Sequence, residues 1–189
     1  MEKERKNILI TGLPGIGKTT LIKQLVYELA RYSPVGFYTE EIRQEDERKG
    51  FQLVSLNGKR SILAHALHVL IDSPYRIGKY RVDVSAFDSF LDSLSLSEPE
   101  EGIIIIDEIG KMECLSIKFV RAVQELLDSK NIVIATIAHT DGGIKGRIKE
   151  RDDVRLFRMN LENRDTIKDE ILEALGNLPQ MSRLTNMNR

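Results

Sequence analysis

Apolar residues along this chain occur in two patterns: short continuous runs, and single positions that recur every three to four residues. Ile8-Leu9-Ile10 is a continuous run of the kind found in a buried strand. The apolar positions that follow recur at helical spacing and form one stripe: Leu21, Ile22, Leu25, Val26 and Leu29. Residues 7–31 therefore predict a strand, a turn and an amphipathic helix.

The rest of the chain repeats this alternation of strand and helix. Residues 103–106 are four consecutive isoleucines, typical of a central parallel strand covered on both faces. Further strands are predicted at residues 132–138 and 154–159. Helices are predicted where apolar side chains recur on one face: Phe87, Phe90, Leu91 and Leu94; Ile117, Val120, Val123, Leu126 and Leu127; and Ile167, Ile171, Leu172 and Leu175. Asn163 is expected to cap the last of these helices and Gly176 to close it.

Residues 35–65 carry a different pattern, with shorter alternating runs and two turn signals. The charged residues 44–49 predict an exposed hairpin turn, and Asn57-Gly58 is a strong signal for a second one. We therefore expect an antiparallel ribbon, at about residues 36–65, inserted into an otherwise parallel α/β fold. The predicted architecture has three layers, with a mostly parallel central sheet and helices on both faces.

Composition and charge narrow the class of protein. A chain of 189 residues, 41% hydrophobic and 30% charged, is expected to form one globular domain at residues 1–176. Residues 177–189 contain Pro179 and few apolar residues, so they predict a flexible C-terminal tail. A net charge of −1 argues against nucleic acid and anionic membrane as partners. The absence of a signal peptide or membrane span, and a single cysteine, Cys114, predict a cytoplasmic protein.

The turn between the first strand and the first helix carries the clearest chemical signal. Residues 12–19, Gly-Leu-Pro-Gly-Ile-Gly-Lys-Thr, match the phosphate-binding loop G-x-x-x-x-G-K-[ST] at every position. Glycines let consecutive backbone N–H groups surround a phosphate, and the following helix offers its positive dipole end to the same anion. Lys18 is expected to neutralise the β and γ oxygens, and Thr19 to offer a hydroxyl to Mg²⁺. The predicted architecture is thus that of a P-loop NTPase.

A second signal stands at the end of the isoleucine-rich strand. Asp107 follows Ile106 directly, where open α/β sheets bind their ligands. Asp107 is therefore expected to hold Mg²⁺ together with Thr19. Glu108, one residue further, is expected to address a water beside the γ-phosphate, although it is also compatible with the start of a polar loop.

Several other polar residues are weaker candidates. Arg76 and Lys79 are possible phosphate contacts, and solvated basic side chains in a loop explain them equally well. Thr136 and His139, at a strand end, are candidates for sensing the γ-phosphate. Residues 140–153 predict a helix or lid with four basic residues, Lys145, Arg147, Lys149 and Arg151. One of the two arginines is a candidate cis arginine finger. Asn163-Arg164-Asp165 is a candidate contact for the base, although capping explains Asn163 as well.

Five stretches in order resemble one family. They are residues 12–20, 36–43 (Gly-Phe-Tyr-Thr-Glu-Glu-Ile-Arg), 78–80 (Gly-Lys-Tyr), 107–113 (Asp-Glu-Ile-Gly-Lys-Met-Glu) and 163–165. Together they resemble THEP-type nucleoside-triphosphatases, and the likeness runs from Ile8 to about Leu175. Residues 139–143, His-Thr-Asp-Gly-Gly, depart from the pattern, since a more basic or proline-containing loop is usual there.

The resemblance implies a RecA-like P-loop domain that hydrolyses several nucleoside triphosphates (ATP, GTP, CTP and UTP) to diphosphate and phosphate with Mg²⁺. The motifs themselves give the expected catalytic residues, Lys18 and Glu108, and the expected metal ligands, Thr19 and Asp107, and the resemblance matches that interpretation. It places at the nucleotide Gly12, Leu13, Pro14, Gly15, Ile16, Gly17, Lys18, Thr19, Thr20, Ile103, Ile104, Ile105, Ile106, Asp107, Glu108, Ile109 and Gly110.

Two other functions use the same sequence features. A nucleotide or small-molecule kinase needs an acceptor pocket and a basic lid, and residues 140–151 are compatible with such a lid. A slow nucleotide-dependent switch or assembly factor needs a partner surface, which sequence does not reveal. Glu108 directly after Asp107 favours water as the acceptor, and hence hydrolysis.

Overall fold

One mixed β-sheet forms the centre of the computed structural model, which describes residues 4–67, 71–96 and 98–187. Within those residues, nine strands belong to this sheet: β1 (Asn7–Gly12), β2 (Val35–Gln44), β3 (Glu47–Ser55), β4 (Arg60–His65), β5 (Arg76–Ile77), β6 (Tyr80–Val82), β7 (Ile103–Ile109), β8 (Ile132–Ala138) and β9 (Val154–Arg158). Their order across the sheet is β5-β6-β4-β3-β2-β7-β8-β1-β9.

The sheet has a parallel half and an antiparallel half that meet at β2. Strands β2, β7, β8, β1 and β9 run parallel to one another. Strands β3, β4, β6 and β5 continue the sheet as antiparallel pairs. The predicted ribbon is thus confirmed, and the antiparallel part extends further than expected: the sequence indicates a loop around Arg76 and Lys79, where the structure has β5 and β6.

Helices cover both faces of the sheet, as the sequence predicts. They are α1 (Lys18–Glu28), α2 (Val84–Asp92), α3 (Ile117–Asp128), α4 (Gly143–Lys149), α5 (Ile167–Gly176) and α6 (Pro179–Met187). No helix within the described part of the chain is long and apolar enough to cross a bilayer.

The isoleucine run of β7 shows how the three layers are built. Ile103 and Ile105 pack with residues of α1, α5 and α6, whereas Ile104 and Ile106 pack with residues of α2 and α3. All four are buried. Because successive side chains of a strand point to opposite faces, an uninterrupted apolar run is what a strand between two helical layers requires.

Two expectations for the C-terminal region are corrected. The segment after Gly176 forms α6 rather than a flexible tail, because Met181 and Leu184 bury their side chains against the helical layer of α1 and α5. Asn163 does not cap α5, which begins at Ile167 with no side-chain cap. Its amide instead donates to the backbone oxygen of Arg158 and accepts from the backbone N–H of Asn160, so it shapes the loop before the helix.

Candidate active site

The loop between β1 and α1 has the backbone shape that its glycines predict. Gly15 and Gly17 have positive φ values of 78° and 111°, which are unfavourable for residues other than glycine. At Gly12 the reason is space, since a Cβ would lie 2.6 Å from the backbone oxygen of Met159. The loop leads directly into α1, which begins at Lys18 and turns its unpaired N–H groups toward the cleft above.

Lys18 lies across this loop with its side chain largely buried. Its Nζ donates hydrogen bonds to the backbone oxygens of Gly12, at 3.1 Å, and Leu13, at 3.4 Å. The ammonium group is therefore held inside the curve of the loop, beside the N-terminus of α1. A fixed cation and a set of free backbone donors at one place form an anion site.

Asp107 is the buried centre of the site. Its Oδ2 accepts a hydrogen bond from Thr19 Oγ1 at 2.7 Å, and its Oδ1 accepts one from Thr136 Oγ1 at 2.6 Å. Its backbone oxygen accepts a third, from Thr39 Oγ1 at 2.5 Å. Hydroxyls from α1, β8 and β2 thus converge on one residue, because β7 lies between β2 and β8 in the sheet.

The oxygens of Thr19 and Asp107 fit a hard divalent cation such as Mg²⁺. Asp107 is only 1% exposed and its carboxylate contacts hydroxyl groups. Among the described residues there is no group of three or more His, Cys, Asp or Glu side chains that could hold a metal. Mg²⁺ commonly binds one or two protein oxygens and completes its coordination shell with phosphate oxygens and water. The oxygens of Thr19 and Asp107 suit that kind of site.

Glu108 lies at the mouth of the same cleft, half-buried. Burial raises the pKa of its carboxyl, Lys18 and Lys145 lower it, and the charge of Asp107 raises it further. A carboxylate with a raised pKa is a better proton acceptor near neutral pH than an exposed one. Lys145 belongs to α4, so the basic segment after β8 does reach the electrostatic surroundings of Glu108.

The cleft above the loop has a volume of about 730 Å³ and extends beyond the phosphate site to the antiparallel half of the sheet. Phe51 and Ile77 give its far wall an apolar part. Glu40 and Glu41 also line it, but both are paired with cations. The hydrogen bond from Lys23, then that from Arg60, lowers the pKa of Glu40, and the hydrogen bond from Arg48 lowers that of Glu41. Both are therefore poorer bases than Glu108.

The structure brings only some of the sequence-predicted residues to the cleft. Pro14, Gly15, Gly17 to Thr20, Asp107, Glu108 and Gly110 line it. Gly12, Leu13 and Ile16 build the loop behind it. Ile103 to Ile106 and Ile109 do not reach the cleft, because their side chains are in the two hydrophobic cores.

The weaker candidates mostly lie elsewhere. Arg76, Lys79 and His139 are not among the residues that line the cleft, whereas Thr136 contacts Asp107. Arg151 pairs with Asp128 and Asp153, so it is not placed as an arginine finger. Two other basic residues of that segment also have contacts away from the cleft. Lys149 binds Asp141, and Arg147 lines a separate groove with Asp128 and Glu150.

Three contributions were not found by sequence reasoning. Thr39 binds the backbone of Asp107, and Thr136 holds its carboxylate rather than standing free to sense a phosphate. Glu113 is buried beside Glu108. Each depends on which strands are neighbours or on how a short turn folds back, and no local spacing reports either.

Several known proteins are similar to this chain over most of its length. The family model described as NTPase matches residues 7–172. Nucleoside-triphosphatase THEP1 of Thermotoga maritima is 45% identical over 169 residues, 89% of this chain and 94% of that protein. The crystal structure of THEP1 from the hyperthermophile Aquifex aeolicus is 35% identical with a TM-score of 0.79, covering 89% of this chain and 98% of that one. The solution structure of a human cancer-related nucleoside triphosphatase is 34% identical with a TM-score of 0.73, covering 89% and 96%.

Proposed function

Because this chain belongs to the NTPase family, and is therefore a hydrolase acting on nucleoside triphosphates, we propose that the cleft above the start of α1 is its catalytic site. The observation that carries this proposal is the position of Asp107. Its carboxylate is bonded to Thr19 of the phosphate loop, and the next residue is Glu108. Phosphate binding and water activation are thus joined through two consecutive residues of β7.

The triphosphate binds to the loop through backbone groups and one side chain. The N–H groups at the start of α1 point toward the β and γ phosphates, and the helix dipole favours their negative charge. Lys18 exchanges its hydrogen bonds to Gly12 and Leu13 for bonds to phosphate oxygens. Neutralising these oxygens matters most in the transition state, when charge moves onto the leaving diphosphate.

Thr19 and Asp107 are the residues that would hold Mg²⁺, which when bound supplies positive charge to the β and γ oxygens. Thr136 and Thr39 fix Asp107 from the two neighbouring strands. The carboxylate is therefore already oriented before nucleotide arrives, and no large side-chain movement is needed to reach the phosphates.

Glu108 orients the attacking water and accepts its proton. The water oxygen forms a bond to the γ-phosphorus while the bond from that phosphorus to the oxygen bridging β and γ breaks. The products are nucleoside diphosphate and inorganic phosphate, and the proton on Glu108 returns to solvent when they leave. A positioned general base of this kind contributes roughly 10²–10⁴ in rate.

We further propose broad use of ATP, GTP, CTP and UTP, because the interactions described above are all with phosphates. Mg²⁺ is proposed as the metal. No nucleic acid or membrane partner is proposed. We propose a cytoplasmic location, which suits the single free cysteine, Cys114.

A kinase is the second candidate, favoured by one observation. The cleft continues past Thr39 to Phe51 and Ile77, which leaves space for an acceptor next to the γ-phosphate.

Phosphate release tests the proposal. Pure protein with Mg²⁺ and each of the four triphosphates is expected to release phosphate without any added acceptor. Lys18→Ala should abolish that release and weaken triphosphate binding, whereas Lys118→Ala, which removes an exposed lysine on α3, should change neither. Release that requires an added hydroxyl compound, with transfer of the phosphate to it, would establish the kinase instead.

A further inference from the structure

A buried carboxyl group, that of Glu113, lies in the wall of the cleft and has no role in the mechanism above. It follows β7 in a short 3-10 turn, Glu113–Leu115. The N–H of Cys114 donates to the backbone oxygen of Gly110 at 3.2 Å, which folds the turn back over the end of the strand. Glu113 is only 6% exposed as a result.

Gly110 shows where the Glu113 carboxyl sits. A Cβ at Gly110 would lie 2.6 Å from Oε2 of Glu113 and 3.5 Å from Cδ and Cγ of Glu108. The two acids therefore converge on the same space above one glycine. Unlike Gly15 and Gly17, Gly110 has no positive φ, so a side chain there would be opposed by the Glu113 carboxyl, which would have to shift.

The surroundings of Glu113 favour its neutral form. Burial raises the pKa of its carboxyl to about 8, the backbone N–H groups of Glu113 and Gly110 offset part of that rise, and the charges of Glu108 and Asp107 add to it. On its own turn, Cys114 has a pKa raised by burial to about 11, so it stays a neutral thiol. Lys18 of α1 and Lys145 of α4 lower the pKa of Glu108. At pH 7 Glu113 thus carries a proton, whereas the two lysines oppose the rise in the pKa of Glu108.

We propose that Glu113 is a positioning residue for hydrolysis: its carboxylic acid, packed over Gly110, holds Glu108 in the orientation that accepts the proton of the attacking water. This inference rests on the proposed function, in which Glu108 is the base. Glu113 transfers no proton itself and acts only through Glu108. A neutral acid suits this role because it adds no negative charge where a triphosphate must bind.

Ionisation of Glu113 is expected to undo this arrangement. Above its pKa, Glu108 and Glu113 are two adjacent carboxylates close to Asp107, and like charges at such separations repel strongly inside a protein. Glu108 is then displaced, and the added charge opposes triphosphate binding. Hydrolysis by the wild type should fall as pH rises from 7.5 to 9.5, by about tenfold per pH unit once the group has titrated.

Two variants test the proposal from opposite sides. Glu113→Gln keeps the shape and stays uncharged, so kcat at pH 7 should remain within about threefold of the wild type, since no charge or volume is lost. Its kcat/KM should no longer fall between pH 7.5 and 9.5. Gly110→Ala keeps both acids but places a methyl on the Glu113 oxygen, so kcat at pH 7 should drop by about 10- to 100-fold with KM little changed.

The chain offers a matched control glycine. Gly176, in α5, has ordinary backbone geometry and open space around its Cβ position, so Gly176→Ala should leave kcat unchanged. Melting temperature and binding of ADP establish that each variant is folded with an intact phosphate loop. If Glu113→Gln does not fold, Gly110→Ala against Gly176→Ala still decides the question.

The outcomes separate this inference from the proposed function. A wild type that releases no phosphate from any triphosphate overturns both. A wild type that hydrolyses triphosphates, with a Glu113→Gln profile that falls at alkaline pH as the wild type does, overturns the role of Glu113 alone. An unchanged kcat in Gly110→Ala does the same.

Discussion

Thr136 Oγ1 donates a 2.6 Å hydrogen bond to Oδ1 of Asp107, on the side of the carboxylate opposite the bond from Thr19. Thr136 is fully buried and belongs to β8, the strand beside β7. The orientation of Asp107 is therefore fixed by a neighbouring strand as well as by the phosphate loop. Residues that orient a metal-binding carboxylate typically affect metal affinity by 10- to 100-fold.

Thr136→Val is expected to raise the Mg²⁺ concentration needed for half-maximal nucleotide binding by about tenfold. The change keeps the shape and removes the hydroxyl, so Oδ1 of Asp107 loses its partner. Binding of a fluorescent nucleoside triphosphate analogue across a Mg²⁺ titration measures the effect without relying on turnover.

Thr11→Val is the matched control, because Thr11 is also buried, on the next strand, and its hydroxyl has no hydrogen-bond partner. Losing an unpaired buried hydroxyl should leave Mg²⁺ dependence unchanged and stability equal or higher. Equal Mg²⁺ titrations for Thr136→Val and Thr11→Val would show that Thr136 does not position Asp107.

Glu108→Gln is expected to lower kcat by about 10²–10⁴, because the amide cannot accept a proton from water. ATP affinity should stay similar or rise slightly, since Lys18, Thr19 and the backbone donors are untouched. Single-turnover phosphate release and equilibrium nucleotide binding measure the two quantities separately.

Glu125→Gln serves as its control, as Glu125 is an exposed residue of α3. A parallel loss of affinity and rate in Glu108→Gln would mean that Glu108 builds the site instead of acting on water. Unchanged turnover would mean that another carboxylate, and not Glu108, acts as the base.

Removal of divalent metal is expected to abolish hydrolysis, and added Mg²⁺ to restore it. Asp107→Ala should stay inactive even at saturating nucleotide and high Mg²⁺, because the carboxylate that would hold the metal is lost. Phosphate release with chelator, then with Mg²⁺, gives the first result. Hydrolysis that persists in chelator would contradict the assigned roles of Thr19 and Asp107.

Glu113 is expected to make the protein less stable as pH rises from about 4.5 to 8. The pKa of Glu113 is raised from 4.5 in a model peptide to about 8 in the fold, so the folded state binds its proton more tightly than the unfolded state. That contribution is fully present below the unfolded pKa and is lost as pH passes through the folded pKa. Urea unfolding at pH 5, 6.5 and 8 should show a decline in the free energy of unfolding that Glu113→Gln reduces. Parallel pH dependences in the two proteins would contradict a buried, protonated Glu113.

The sequence by itself determined the layered fold and the phosphate loop. Both follow from local chemistry: side chains alternate in a strand, repeat every 3.6 residues in a helix, and glycines permit the turn of residues 12–17. The isoleucines at 103–106 predicted a strand between two helical layers for the same reason, and Asp107 at its end indicated the candidate site.

Only the tertiary structure decided what surrounds Asp107 and Glu108. Thr39 and Thr136 reach Asp107 because β2 and β8 flank β7, and the order of strands in a sheet is set by packing of distant segments. Glu113 meets Glu108 because a turn folds back over Gly110, and α6 is held by Met181 and Leu184 packing on helices far away in the chain. The spacing of residues along the chain predicts on which face of a strand or helix a side chain lies. Which strands are neighbours in the sheet depends on the free energy of burying the whole core.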